Sequence, residues 1–375
     1  MMNLSKIKAV HVSTVHKYDD TRILHRECKA LAEAGCDVKL IIPHCKAEFI
    51  HDVEIILVKK PSWLLARLFT SVPKVFFKLL KFEKTAVIHL HDPELIPAGL
   101  LLRLFARTVI YDMHEDFPAQ IHSKEYLPEF IKKPLSFIVK VFERIFLTGF
   151  SGIITVTEPI LQRLPERKST LVQNFPVNSE IEPGKEAHRD RERIIFYVGD
   201  ITKPRGLTEM LDAVSISGPE KKARLVLAGR FSPPRTRDEA ELHPGWEFTD
   251  FIGWADRKQL NEMLKKSRIG MLTLHPYTCH LVAQPVKLFE YMLAGIPVIS
   301  SDFPMYRKTI EDAQCGLLVD PLNPKEIAEA VNYLLDHPDE AEEMGRKGRA
   351  AVLEKYIWEN EARELVSFYQ KMSRR

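Results

Sequence analysis

The stretch that most restricts the fold of this chain is residues 284–304, QPVKLFEYMLAGIPVISSDFP. Its apolar residues repeat with the period of a helix from Pro285 to Ala294, and Gly295 is suited to end that helix in the left-handed conformation. Residues 297–300 then have the apolar, β-branched character of a short buried strand. A helix, a glycine and a strand in this order are typical of a doubly wound α/β domain.

The start of the same helix has the properties of an anion site. Unpaired backbone N–H groups and the positive end of the helix dipole meet there. Lys287 adds a charge, and Glu290 is placed to reach a hydroxyl group beside the anion. The residues alone leave two interpretations open, a nucleotide phosphate site or a structural helix–strand unit without a ligand.

The first half of the chain predicts a Rossmann-like domain. A buried strand (7–13), a polar loop and a helix (21–34) precede a second strand (38–43). The loop contains no G-x-G-x-x-G motif, which argues against a dinucleotide site. Asp20 and Arg22 at the junction of loop and helix are either a helix cap with its ion pair or functional residues.

Polar residues cluster after two further strands of this half. One predicted strand ends in His-Asp-Pro-Glu-Leu, which contains Asp92 and Glu94, and the next ends in Asp-Met-His-Glu-Asp, which contains His114 and Glu115. Because the carboxyl ends of parallel strands meet at one edge of a sheet, both clusters are expected to face one crevice. Metal binding is the alternative for such a set. However, the spacing matches no zinc signature and the chain has no Asp-x-Asp motif, so no metal ligands are predicted.

The second half of the chain restarts the pattern. A buried strand leads into the loop 199–207, in which Gly199 and Gly206 let backbone N–H groups approach an anion closely. Arg205 in this loop can clamp phosphate oxygens, and Arg230 marks the end of the next strand beside the same predicted crevice. The chain therefore divides into two α/β domains.

Composition excludes several functional classes. A formal net charge of +3 over 375 residues does not argue for binding nucleic acid. The five cysteines lack disulfide or metal-ligand spacing and fit thiols in a reducing compartment. The N-terminus lacks the apolar core of a signal peptide, and no apolar run reaches the ~18 residues of a membrane span. We therefore expect a cytoplasmic location.

Residues 62–82 form a basic, amphipathic stretch. Arg67, Lys74, Lys78 and Lys81 lie on one stripe of a predicted helix, and apolar side chains cover much of the rest. Such a helix is suited to peripheral contact with an anionic membrane, here at its cytoplasmic face. It is equally suited to packing on a core with a solvated lysine face, and both interpretations stay open.

Several of these stretches resemble glycosyltransferase family 4, whose members have an α/β GT-B fold of two Rossmann-like domains facing a central cleft. The resemblance rests on KLFEYMxAGxPVI with its Ser-Asp tail and on the HDPEL and YDxHE motifs of one branch, and it covers nearly the whole chain. Two positions depart from the family pattern. Val282 stands where a first glutamate is expected, and Asp200 where the phosphate loop is expected to carry an arginine.

The resemblance implies roles for both halves. Residues 1–185 become an N-terminal acceptor domain and 190–355 a C-terminal donor domain, with 180–193 as linker and a last helix (356–375) that packs back on the first domain. The donor-binding residues are then Gly199, Arg205, Gly206, Arg230, Lys287, Leu288 and Glu290. The catalytic residues are His114, Glu94 and Glu115, and the acceptor-side residues are Asp20, Arg22 and Asp92.

The implied reaction is retaining, metal-independent transfer of a sugar from a nucleoside diphosphate to a hydroxyl group. The acceptor is expected to be a glycan or lipid-linked intermediate of surface polysaccharide biosynthesis, and no cofactor is expected besides the nucleotide-sugar substrate. Two alternatives remain. One is a nucleotide-sugar epimerase or hydrolase of the same fold, and the other is a non-catalytic partner subunit, suggested by Val282 and Asp200.

Overall fold

The computed structural model describes residues 7–43, 48–58, 63, 67–114, 118, 121 and 128–374. These residues form two compact units. One contains the described residues up to Asn174 together with those from Trp358 onward, and the other contains Phe175–Ile357.

The first unit is built on an eight-stranded sheet. Its strands are β1 (Lys8–Val12), β2 (Asp37–Ile42), β3 (Phe49–Ile50), β4 (Val53–Leu57), β5 (Val87–Leu90), β6 (Thr108–Met113), β7 (Gly152–Thr155) and β8 (Ser169–Leu171). Their order in the sheet is β3-β4-β2-β1-β5-β6-β7-β8, and every neighbouring pair is parallel except β3 with β4. The residues of β5 and β7 are all buried, as expected for strands with helices on both faces of the sheet.

The first helix of this unit differs from the sequence prediction in its winding. The α-helices are Lys29–Glu33, Val72–Leu80, Ile96–Leu104, Glu129–Thr148, Glu158–Leu161 and Trp358–Ser373. The predicted helix 21–34 is π-helical over Ile23–Cys28 and α-helical over Lys29–Glu33, and Gly35 follows it with φ of +94°. A wider π turn shifts the side chains of the following turn and is common at functional sites.

The last helix, Trp358–Ser373, is part of the first unit. The hydroxyl of its Tyr369 lies 2.8 Å from His89 Nδ1 and 3.0 Å from His11 Nε2. Its Glu361 accepts a hydrogen bond from the backbone N–H of Gln173. This helix therefore covers the polar middle of the first sheet.

The second unit has a six-stranded, fully parallel sheet. Its strands are β9 (Ile194–Val198), β10 (Arg224–Ala228), β11 (Thr249–Gly253), β12 (Ile269–Leu272), β13 (Val298–Ser301) and β14 (Gly316–Val319), in the order β11-β10-β9-β12-β13-β14. Its α-helices are Leu207–Lys221, Arg235–Glu241, Arg257–Lys266, Thr278–Leu281, Val286–Leu293, Pro304–Ala313, Pro324–Asp336 and Pro338–Lys355.

The boundary between the units precedes the linker that the sequence predicts at residues 180–193. Phe175 packs edge-on against Phe289, with ring centroids 4.8 Å apart, and Ile181 is buried in the same core. His188 is buried and its Nε2 lies 2.8 Å from the carbonyl oxygen of Arg268. The segment 180–193 is therefore attached to the second unit through Ile181 and His188. Its charged composition does not predict this attachment.

Residues 284–304 form the predicted helix, glycine turn and strand. The helix Val286–Leu293 is followed by Gly295 with φ of +71° and by the buried strand β13. Leu288 and Phe289 belong to a core cluster of the second unit, which fixes the start of the helix against the sheet.

Candidate functional site

A cavity of about 380 Å³ lies in the second unit, between the loop after β9 and the start of the helix Val286–Leu293. It is lined by Val198, Gly199, Arg205, Leu274, His280, Ala283, Pro285, Val286, Lys287 and Glu290. Four of the seven predicted donor residues line it, and Gly206 and Leu288 directly follow lining residues in the chain. The sheet brings them together because β9 is central and its carboxyl end faces the helix start.

Lys287 is the buried cation of this cavity. Its Nζ lies 4.0 Å from the centroid of the Tyr197 ring and has no hydrogen-bond acceptor among the described residues. Burial lowers the pKa of Lys287 to about 7, and the nearby charge of Arg205 acts in the same direction. A buried ammonium without an acceptor is costly, so this side chain is ready to receive an anion.

The loop after β9 supplies the second cation and the space for a ligand. Gly199 has φ of +126°, and a side chain at this position would place its Cβ 3.1 Å from Lys287 Nζ and 3.5 Å from Arg205 Nη1. Gly206 also has positive φ, +81°, and directly precedes the helix Leu207–Lys221. Asp200, the residue that replaces the expected arginine, lies 3.7 Å from Arg205 and leaves that guanidinium partly exposed.

Glu290 is oriented by an arginine that the sequence did not single out. Arg257 Nη1 donates to Glu290 Oε1 over 2.6 Å, and its Nη2 lies 3.3 Å from Glu180. Glu290 is largely buried but lines the cavity. Leu288, another predicted donor residue, is not among the residues that line the cavity; its N–H donates to the Pro285 carbonyl over 3.1 Å and its side chain is in the core.

Arg230 is not among the residues that line this cavity. Its guanidinium carbon is 4.6 Å above the Trp254 ring, and both side chains are exposed at the carboxyl ends of β10 and β11. The pair offers a flat, cationic surface to an aromatic ligand group.

The polar centre of the first unit is built around Asp112 at the end of β6. Arg22 donates to both carboxylate oxygens, from Nε to Oδ2 over 3.1 Å and from Nη2 to Oδ1 over 3.0 Å. Burial would raise the pKa of Asp112, but the charge of Arg22 reverses this and holds it well below its usual range. Arg22 is thus paired with Asp112 and not with Asp20, whose carboxylate instead accepts from the N–H groups of Arg22 and Ile23 at the helix start.

His114 is the part of this centre that reaches the surface. Its Nε2 lies 3.1 Å from His91 Nδ1 and 3.4 Å from Asp112 Oδ2, while its side chain is 16% exposed. Burial lowers the pKa of His114 to about 3, against the attraction of Asp112. The imidazole is therefore neutral throughout the physiological range.

Asp92 and Glu94 hold the loop after β1. The Asp92 carboxylate is buried and accepts from Ser13 Oγ and from the N–H and hydroxyl of Thr14, and it lies 3.0 Å from His16 Nδ1. Burial opposes ionisation, but these hydrogen bonds lower the pKa of Asp92. Glu94 pairs with Arg67 over 3.1 Å. Glu115, the remaining predicted catalytic residue, lies outside the described residues.

The sequence analysis did not single out several residues of the polar centre and of the cavity. Asp112 and His91 lie inside the quoted motifs, at strand ends, which is a signal that could have selected them. Tyr197, Arg257 and His280 carry no such signal, because their positions depend on packing between elements distant in the chain.

Comparisons with known proteins agree with this architecture. The model described as Glycosyltransferase Family 4 matches residues 21–174, and the model described as Glycosyl transferases group 1 matches residues 178–351. The chain is 28% identical over 193 residues to the alpha-maltose-1-phosphate synthase of Mycolicibacterium smegmatis, in a match that covers 48% of each chain. It therefore spans about half the length of that relative.

Two solved structures share the fold over almost the whole chain. Sucrose-phosphate synthase of Thermosynechococcus elongatus has a TM-score of 0.76 at 18% identity and covers 98% of this chain and 99% of its own. HepE of Anabaena, solved in complex with UDP-glucose, has a TM-score of 0.71 at 12% identity and covers 97% of this chain and 100% of its own. With both family models matched along the chain, this protein belongs to glycosyltransferase family 4 and has the GT-B fold.

Proposed function

We propose that this chain transfers a hexose-like sugar from a nucleoside diphosphate to a hydroxyl group, with retention of anomeric configuration and without a metal ion at the diphosphate. The observation that carries the proposal is the cavity of about 380 Å³ that joins Lys287, Arg205 and the start of the helix Val286–Leu293. UDP-glucose is the first donor to test, because the structurally similar HepE was solved with it.

The cavity is suited to stabilise a diphosphate leaving group. As the bond to the sugar breaks, negative charge grows on the phosphate oxygens, and fixed cations and dipoles stabilise that charge. Lys287 and Arg205 provide two cations, and the helix start adds backbone N–H groups. Because Lys287 lacks an acceptor among the described residues, the incoming anion need not displace one.

Glu290 is proposed to accept hydrogen bonds from the ribose hydroxyl groups of the nucleotide. Its Oε1 is held by Arg257, which fixes the carboxylate beside the cavity and leaves Oε2 for the ligand. A carboxylate that is oriented before binding loses less conformational entropy when the ligand arrives.

His114 is proposed to contact the transferred sugar. Positive charge builds at the anomeric carbon during transfer, and a neutral imidazole avoids the repulsion that a protonated one would cause. The hydrogen-bonding distances to His91 and Asp112 hold its ring in one orientation. We assign a front-face displacement, in which the acceptor oxygen bonds to the anomeric carbon while the bond to phosphate breaks and the acceptor proton passes to the leaving phosphate.

The acceptor is proposed to be a lipid-linked glycan at an anionic membrane. Of the predicted basic helix 62–82, residues 62 and 64–66 lie outside the described residues, and the rest includes exposed Lys74, Lys81 and Phe77. Arg67 is not part of the solvated stripe, because it pairs with Glu94. The basic surface is therefore smaller than the sequence suggests.

A second helix enlarges this surface. The sequence predicts residues 134–150 as a covering helix, yet the helix Glu129–Thr148 exposes 79% of Phe130, 68% of Phe137 and 53% of Phe142. The exposed Lys133, Lys140 and Arg144 lie on the same helix. Aromatic side chains between basic ones are typical of a surface that enters the interface of an anionic membrane.

The two helices are connected through the helix Ile96–Leu104. The rings of Phe76 and Phe105 are 6.2 Å apart, and Arg103 donates to the carbonyl oxygen of Gly149. Among the described residues, none of the helices is both long enough and apolar enough to span a bilayer. A peripheral contact is thus the form of membrane binding that this surface supports.

Sedimentation with vesicles of phosphatidylglycerol tests the membrane proposal. The variant with Phe137→Ser and Phe142→Ser should lose most of the bound fraction, and so should the variant with Lys74→Glu, Lys78→Glu and Lys81→Glu. Leu242→Ser removes an even more exposed apolar side chain from the second unit and should sediment like the parent chain. Unchanged sedimentation of both surface variants contradicts the proposal.

Calorimetric titration with UDP, GDP, ADP and dTDP, with and without Mg²⁺, tests the donor site. We expect one nucleotide to bind without Mg²⁺ and to bind less tightly to Arg205→Ala and Glu290→Ala. Product analysis with the matching nucleotide sugar then separates the alternatives. Turnover without an acceptor favours an epimerase or hydrolase, and the absence of any nucleotide binding favours a non-catalytic partner.

A further inference from the structure

Three histidines and a glutamate meet inside the first unit, beneath the surface that His114 reaches. His11 on β1 and His89 on β5 are direct neighbours in the parallel register, and His91 follows on the same face as His89 because strand residues alternate. Glu27 projects from the π-helical segment Ile23–Cys28 toward them. All four side chains are buried.

The four side chains can each direct one donor atom to a common point. One nitrogen or oxygen from each lies within 4.8 Å of the others. His11 Nδ1 is 2.9 Å from His91 Nε2, and Glu27 Oε2 is 3.9 Å from the former and 4.0 Å from the latter. Bonds of about 2.0–2.1 Å from zinc to nitrogen or oxygen place neighbouring ligand atoms ~3.3 Å apart. Shifts of under ~1 Å therefore complete such a site.

In each of the three histidines, the ring nitrogen that faces away from the common point lies near an oxygen atom, as in metal-binding histidines. The Tyr369 hydroxyl lies 3.0 Å from His11 Nε2 and 2.8 Å from His89 Nδ1, and its two lone pairs can accept from both rings. His91 Nδ1 lies 3.4 Å from Asp112 Oδ2. A ligating histidine almost always donates its other N–H to an oxygen in this way, which directs its free lone pair to the metal.

The remaining nitrogen of His89 supports this assignment. His89 Nε2 is buried and has no hydrogen-bond partner among the described residues. Buried polar atoms without a partner are rare and indicate a missing donor or ion. A cation between the rings gives this lone pair a partner.

The charges around the cluster also require a cation or a proton. Arg22 Nη2 lies 2.9 Å from Glu27 Oε1 and 3.0 Å from Asp112 Oδ1, so one guanidinium serves two buried carboxylates. With neutral imidazoles, this group carries one negative charge in excess, which is unfavourable away from water. A divalent cation reverses that imbalance, and a proton on Glu27 is the competing solution.

We propose that His11, Glu27, His89 and His91 bind one divalent transition-metal ion, with zinc as the first candidate, which stabilises the first unit. Three imidazoles and one carboxylate form a donor set that suits zinc and neighbouring metals. Because the ligands are buried, the ion has a structural role and is separate from the metal-independent donor binding of the second unit. The sequence predicts no metal site, because the ligands come from three separate stretches.

Elemental analysis of the untagged full-length chain tests the proposal. After incubation with Zn²⁺ and exhaustive dialysis, we expect about one zinc per chain in the parent, and less than about a tenth of that in Glu27→Gln and His89→Gln. The exposed pair of His25 and His51 is a second place where zinc can bind, so His51→Ala is the control and should keep its zinc. A chain without retained zinc overturns the proposal and indicates a protonated cluster. Zinc retained in both cluster variants also overturns it.

Two measurements on the parent chain keep the test decisive if the variants do not fold. Replacement of zinc by Co²⁺ should give the visible d–d absorption of a nitrogen-rich, four-coordinate site. Removal of the ion with a chelator should lower the melting temperature of the first unit by roughly 5 °C or more, since an ion that binds the folded chain stabilises it. An unchanged melting temperature together with no cobalt absorption contradicts the site.

Discussion

The polar centre of the first unit and the cavity of the second use charge in opposite ways. The Asp112 carboxylate has its partners within the first unit, two hydrogen bonds from Arg22 and close contacts to His91 and His114. In the cavity, Lys287 is buried against the Tyr197 ring with no acceptor among the described residues. The first arrangement holds the side chains around Asp112 in fixed positions. The second leaves a buried positive charge with which an anionic ligand can pair. Mutations should therefore separate stability from binding.

The largest effect is expected when the paired network is broken. Arg22→Met removes the guanidinium that pairs with two buried carboxylates, those of Asp112 and Glu27, and should cost about 3–5 kcal/mol of unfolding free energy. Urea denaturation followed by a probe in the first unit measures this. Asp200→Asn, at the exposed ion pair with Arg205, is the control and should change stability far less. Equal losses of unfolding free energy in both variants contradict the view that the buried network contributes more to stability than the exposed ion pair.

Lys287→Met should have the reverse profile. Removal of a buried, unpaired ammonium should leave the unfolding free energy unchanged or raise it, while nucleoside diphosphate affinity falls about 100-fold, or ~3 kcal/mol, because an interaction between charges is lost. Titration calorimetry and urea denaturation of one preparation give both numbers. A destabilised variant with normal affinity shows that Lys287 is a structural residue.

The affinity for a nucleoside diphosphate should depend on pH through Lys287. The pKa of Lys287 is lowered to about 7, and a bound diphosphate raises it, so affinity should fall as pH rises above 7, by up to about tenfold per unit. Calorimetry at pH 8 in buffers of different ionisation enthalpy should show proton uptake on binding. The pKa of His114, about 3, lies below this range, so the first unit adds no histidine titration from that residue.

The free energy of unfolding should change with pH in the opposite direction to the nucleotide affinity. Since the folded-state pKa of Lys287 lies below its unfolded value of 10.5, the folded chain binds fewer protons between about pH 7 and 10.5. Stability from this group therefore rises with pH across that window. Lys287→Met should flatten both profiles, and a persistent slope assigns the titration to another group.

The smallest effect is expected at the loop glycines. Gly199 and Gly253 both have positive φ, +126° and +73°, so alanine should cost about 1 kcal/mol of stability at either position. An alanine Cβ at position 199 lies 3.1 Å from Lys287 Nζ, whereas none of the other described atoms lies within 4 Å of one at position 253. The melting temperature should thus fall by a similar amount in Gly199→Ala and Gly253→Ala, and nucleotide affinity should fall only in Gly199→Ala. Equal affinities exclude the phosphate position that we assign beside Gly199.

Much of the donor site could be predicted because its residues lie in two short stretches. Lys287 and Glu290 belong to one helix start, and Gly199 and Arg205 to one loop, so local periodicity and strand ends indicate them. Their partners could not be predicted in this way. Arg257 reaches Glu290 from another helix, and Tyr197 lies under Lys287 because β9 is central in the sheet.

The candidate residues of the first unit were indicated as motifs, but their individual roles were not. Asp20 and Arg22 are adjacent enough in sequence to suggest an ion pair, yet Arg22 points to Asp112, ninety positions away. Asp92 is engaged by the loop after β1, which its position in the HDPEL motif does not reveal.

The amino-acid sequence alone predicts the two α/β halves and the helix, glycine and strand of residues 285–301, because these depend on the spacing of apolar residues and on a residue with free access to positive φ. It also indicates the family, through motifs that are continuous in the chain. The pairing of charges, in contrast, depends on the tertiary structure. That structure brought His11, Glu27 and His89 to one point through strand register and helix packing, and it left Lys287 without an acceptor among the described residues. Burial and distance between residues far apart in the chain govern those interactions, and neither can be read from local pattern.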